Sequence, residues 1–87
     1  MEKFQPGGMM AGQTFELDDK WLKFVGASNG YFSVPRKHIE TVSISPKSAG
    51  SSYLQIIGKG TVLASVELPY SLAEKSQLWL FEKLNLL

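Results

Sequence analysis

Cysteine is absent from this chain. Its absence excludes disulfide staples, thiolate nucleophiles and Cys-based metal sites, and it weakly favours a reducing compartment. Histidine is nearly absent too, with His38 alone. A catalytic imidazole needs a nucleophile and an orienting carboxylate, and a metal site needs three or four ligands. Only carboxylates are left to complete either constellation around His38. An excess of one charge is likewise missing, because the formal net charge is +1. Such a chain has no general pull toward nucleic acid or anionic membrane, so an electrostatic partner must be recognised through a local patch. No continuous apolar run marks a signal peptide or a membrane span. The opening "MEKFQPGGMMAG" is broken by Pro6, Gly7, Gly8 and Gly12, and a cytoplasmic protein is the default expectation.

What is present describes a small globular domain. The 87 residues are 44% hydrophobic and 20% charged, enough for one core and too little for two domains. Residues 1–12 are expected to be a flexible lead-in without an element of their own, since glycine keeps the backbone entropy high. The domain proper is expected over residues 13–87. From Thr14 the hydrophobic pattern has period two. Phe15 and Leu17 lie on one side of a strand, Asp18-Asp19 turns the chain, and a second strand runs from Trp21 to Val25. Asn29-Gly30 is the strongest short hairpin signal, because a type I′ turn needs positive φ at both central residues. It predicts a return strand from Tyr31 to Val34.

Further along, Val42 and Ile44 alternate with Thr41, Ser43 and Ser45 as in a half-buried strand. Pro46 and "KSAGSS" read as a flexible loop. Leu54 and Ile56 then define another strand, Gly58-Lys59-Gly60 a hairpin, and Val62, Ala64, Val66 and Leu68 the inner face of a last strand. Gly58-Lys59-Gly60 is not a phosphate cradle, because no helix starts behind it. Only the C-terminal segment reads as helix. Ser71 and Glu74 are spaced as a capping box, and Leu72, Ala73, Leu80, Leu84 and Leu87 fall on one broad face at roughly 100° per residue. About six antiparallel strands followed by one helix exclude a doubly wound α/β fold. The expected class is mainly β, a bent antiparallel sheet or partly open barrel of six to seven strands with the C-terminal helix across it.

The succession "FELDDKWLKFVGASNGYFSVPRKHIETVSIS" and "YLQIIGKGTVLASVELPYSLAEKSQLWLFEKL" resembles the bacterial pleckstrin-homology-like (PH-like) domains. The family's strand pair is followed by a segment of the type (I/V)P-x-x-x-I-x-x-(V/I), matched by Val34-Pro35, Ile39 and Val42. The resemblance covers Thr14 to Leu84 and implies two near-orthogonal sheets closed by the helix. It also implies that Pro35 fixes a corner, that Ile39 anchors it, that Arg36, Lys37 and Glu40 point to water, and that His38 sits on the rim. Phosphoinositide-binding members carry bases in the first hairpin loop and a Lys/Arg-x-Arg strand. Here Gly26-Ala27-Ser28-Asn29 has none, so inositol-lipid binding is not expected.

Two surfaces are candidates for function. The apolar arc of the helix is wider than one small sheet can cover, so Trp79, Phe81 and Leu86 are expected at an interface with a protein partner or a second copy. The alternative is an anion or lipid-headgroup site at a basic corner of Lys23, Arg36 and Lys37, with Lys20 in reach. An aromatic and cationic nucleic-acid platform from Trp21, Phe24, Tyr31 and Phe32 is disfavoured by the near-neutral charge and by period-two packing. No acid/base pair is visible: Glu16, Glu40 and Glu67 alternate away from apolar neighbours. The expectation is therefore a non-enzymatic, cofactor-free interaction module, with nucleic acid not a partner and membrane contact a minor alternative.

Overall fold

The computed structural model describes residues 1–8, 12–26 and 30–86. Among the described residues seven strands and one α-helix follow one another: β1 (Glu2–Phe4), β2 (Thr14–Leu17), β3 (Trp21–Gly26), β4 (Gly30–Pro35), β5 (Thr41–Ser48), β6 (Ser51–Gly58), β7 (Thr61–Pro69) and α1 (Tyr70–Leu84). The strands form two antiparallel meanders, β1-β2-β3-β4 and β5-β6-β7. The mainly β class with a single C-terminal helix is the one the sequence predicts. Among the described residues no helix is long and apolar enough to cross a membrane.

One core draws on both sheets and the helix. Phe15, Leu17, Leu22, Phe24 and Val34 come from the first sheet, Val42, Leu54, Ile56, Val66 and Leu68 from the second, and Ala73 and Leu80 from α1. Its aromatic centre is a trio. Phe24 lies 4.8 Å from Phe15 in a tilted pair and 5.5 Å from Phe32 in a stacked one. Such pairs add about 1 kcal/mol each beyond the area they bury. Ile39 also packs against this core, and a short 3₁₀ turn at Arg36–His38 carries the chain from the first sheet to the second.

Local signals were overruled in four places. β1 lies within the expected lead-in, where three residues pair with β2 through Glu2↔Leu17 and Phe4↔Phe15; long-range pairing stabilises a strand too short to show periodicity. Met9 and Met10 lie outside the described residues. The hairpin at Asn29-Gly30 exists, but Gly30 pairs with Gly26, so it closes the ladder and is not central to a two-residue turn. Ala27, Ser28 and Asn29 lie outside the described residues. "KSAGSS" is no loose loop. Ser48 pairs with Ser51, with Ala49 at φ 45° and Gly50 at φ 83° between them, the signs a type I′ turn requires. Finally, α1 starts at Tyr70 behind Pro69, without a side-chain cap. The Tyr70 N–H donates instead to the Gly50 carbonyl at 2.7 Å, which removes the need for a capping box at Ser71.

The last strand also departs from simple alternation. The register slips between Ile56 and Ile57, and Val62 is turned out while Val66 and Leu68 stay buried. One glycine beside this slip is fixed by crowding. A Cβ on Gly58 would collide with the backbone carbonyl of His38 and come within 2.8 Å of a Leu63 methyl. The Glu40 N–H, which donates to the Ile57 carbonyl at 2.8 Å, holds the two segments at that separation. Gly58→Ala is therefore expected to lower the unfolding free energy by about 2 kcal/mol in urea titration. An unchanged midpoint would show that the 3₁₀ turn is not seated against β6.

Candidate functional site

The basic corner is built by two turns that meet. Between β2 and β3 the Asp18 carboxylate accepts the backbone N–H groups of Lys20 at 2.8 Å and Trp21 at 2.7 Å. Those two bonds hold the Asp18 carboxyl below the usual carboxylate range. This is the turn predicted for Asp18-Asp19, with the side chain standing in for backbone. Opposite it, the Arg36 N–H donates to the Lys20 carbonyl at 2.8 Å.

Arg36 does not point to water. Its guanidinium donates to the Asp18 carbonyl at 2.9 Å and to the Lys83 carbonyl at 3.1 Å. One side chain thus joins the β2–β3 turn, the 3₁₀ turn and the C-terminal end of α1, where a cation also complements the helix dipole. The anion site expected of Lys23, Arg36 and Lys37 loses its fork to these carbonyls. Lys37 remains exposed and lines a cleft of about 510 Å³ with Asp19, Lys20, Trp21 and Pro35. Lys23 is exposed on β3 between Glu16 and Ser33.

The helix margin is largely covered. Trp79, Phe81 and Leu86 are half-buried against the core. Phe4 of β1 stacks on Trp79 at 5.3 Å with the rings 12° apart, and the Lys83 ammonium pairs with Glu2 at 2.8 Å. That hydrogen bond and charge lower the Glu2 pKa and raise that of Lys83. Asn85 closes the helix in the left-handed conformation at φ 56°, and the Leu86 N–H returns to the Phe81 carbonyl at 2.9 Å. This fold-back turns Leu86 toward the protein. The residue left bare at the margin is Leu78, 57% exposed beside a shallow groove formed with Phe4, Lys75, Trp79 and Glu82.

Among the described residues three exposed apolar side chains lie on the outer face of the first sheet. Trp21 is 41% exposed, Val25 53% and Tyr31 81%. Trp21 sits opposite Pro35, and Val25 opposite Tyr31, with Lys23 and Ser33 between the two pairs. The sequence carried a signal for this face. Lys23 alternates with Trp21 and Val25, and a lysine on a short strand belongs in water, which leaves Leu22 and Phe24 for the core. No family model, curated protein or solved structure matches the chain.

Arg36 provides the test of the corner. Arg36→Ala should cost about 2 kcal/mol in chemical unfolding, and Arg36→Lys should not restore it, because an ammonium cannot fork between two carbonyls. A loss below about 0.5 kcal/mol, the level of an ordinary surface substitution, would mean that the guanidinium is solvated.

Proposed function

We propose that this chain is a non-catalytic protein-interaction or scaffolding module of the PH-like type, which docks a partner protein or a second copy of itself on the outer face of the first sheet. The observation that carries this reading is the exposure of Trp21, Val25 and Tyr31 on one side of the β3–β4 hairpin. Isolated apolar residues on a surface need no explanation, but Trp21 opposite Pro35 and Val25 opposite Tyr31 put two aromatic-bearing apolar pairs on one face of the hairpin, and aromatic residues are enriched at interfaces. A sheet of four strands, a sheet of three and a closing helix agree with the architecture that the resemblance implies. The cysteine-free composition suits a reducing cytoplasm.

The second reading, an anion or lipid-headgroup site, retains one favourable observation. Lys20 and Lys37 line the cleft beside Trp21, although Arg36 is committed elsewhere. The helix margin is the weaker protein surface, since Phe4 occupies the Trp79 face.

Site-specific photo-crosslinking decides between these surfaces. A photoreactive residue at Tyr31 should give a discrete protein adduct, either a dimer of this chain or one partner. Trp21→Ser should abolish that adduct while shifting stability by no more than about 0.5 kcal/mol, as for other surface sites. Adducts formed from Leu78 and not from Tyr31 would contradict the proposal.

A further inference from the structure

We propose that the cleft at Trp21 takes an extended acidic protein segment, with a carboxylate-bearing side chain beside Lys20 and Lys37 and an apolar or proline ring on Trp21 and Pro35; this rests on reading the outer sheet face as a docking surface. The floor is apolar and fixed. Trp21 and Pro35 face each other across the ladder, and both flanking turns are tied down by the Asp18 N–H to the Trp21 carbonyl at 3.1 Å and the Arg36 N–H to the Lys20 carbonyl at 2.8 Å. A preformed floor avoids the ordering cost that weakens flexible sites.

The walls carry the charge argument. Among the described residues neither Lys20, Lys23 nor Lys37 has a carboxylate within ion-pair distance, whereas Lys3, Lys47 and Lys83 each do. The nearby Asp18 carboxylate already accepts two backbone N–H groups. Asp19 lines the cleft as its single acid. Arg36 is not among the lining residues, and its guanidinium donates to two carbonyls, so the lysines supply the positive charge of the walls. Among the described residues Lys20 and Lys37 thus flank the exposed tryptophan without an ion-pair partner, as Lys59 and Lys75 stand elsewhere on the surface. Lysine is a mobile point charge suited to single carboxylates, and the Trp21–Pro35 pair gives an extended ligand an apolar strip to lie along. Charge complementarity selects an acidic segment over a basic or neutral one.

The experiment titrates the full isotope-labelled chain with a synthetic peptide of alternating aspartate and proline around one phenylalanine, followed by NMR. Its asparagine counterpart and phosphatidylserine-containing vesicles serve as separate arms. The aspartate peptide should shift the Trp21 indole and the Lys20 and Lys37 amides, with affinity falling as salt rises. It should bind about tenfold more tightly than the asparagine peptide, and a Lys20→Glu, Lys37→Glu double variant should lose that advantage. Trp21→Ser should weaken both peptides, and Leu78→Ser neither. Equal binding of the two peptides at Trp21 would overturn the acidic preference and leave the docking face standing. Absence of any shift at Trp21 would overturn the proposal, while the docking face itself stands or falls with the Tyr31 adduct. Stronger perturbation of Trp21 by the vesicles than by the peptide would assign the cleft to lipid and overturn the proposal.

Discussion

The seating of α1 on the second sheet is the contact on which the rest of the molecule depends. Ala73, Ser76 and Leu80 recur at helical spacing and are buried, and the two small residues let the helix approach the strands closely. The Ser76 hydroxyl donates back to the Leu72 carbonyl at 2.8 Å, so its burial leaves no polar group stranded. Gln77 donates to the Val42 carbonyl at 2.8 Å, which fixes the rotation of the helix against β5 and covers part of an edge strand. Only with α1 in this position does the Lys83 carbonyl reach Arg36, and only then does Trp79 meet Phe4.

That dependence links core packing to surface chemistry. By drawing Arg36 onto two carbonyls, the helix end removes the best anion-binding donor from the basic corner. By stacking under Phe4, Trp79 removes the largest aromatic from the helix margin. Leu78 stays bare on the helix, and among the described residues three further exposed apolar side chains, Trp21, Val25 and Tyr31, lie together on the first sheet. On the reading proposed above, the docking face lies away from the helix, the element whose sequence looks stickiest.

How far the sequence could disclose this follows from the range of the forces involved. Strand alternation at Thr14–Leu17, Trp21–Val25 and Leu54–Ile56, and the helical spacing of Leu72, Ala73 and Leu80, are local patterns driven by burial, and they are legible. The Val34-Pro35 to Ile39 corner is legible for the same reason: proline fixes the bend and isoleucine needs the core. Arg36 is not legible, since its acceptors lie 18 and 47 residues away and nothing near Arg36 names a backbone carbonyl. β1 escapes detection because three residues offer no period, while the register that holds them belongs to β2. At Asn29-Gly30 the turn propensity is real, but the ladder from Trp21↔Pro35 to Gly26↔Gly30 sets the closing pair. Tertiary register outweighs a local preference worth a fraction of a kilocalorie per residue.

Truncation of the helix anchor tests the account most directly. Leu80→Ala should lower the unfolding free energy by about 2–5 kcal/mol, with helix ellipticity and tryptophan fluorescence lost in one coincident transition. A loss below about 1 kcal/mol, or a helix that melts separately from an intact pair of sheets, would contradict the claim that α1 closes the core.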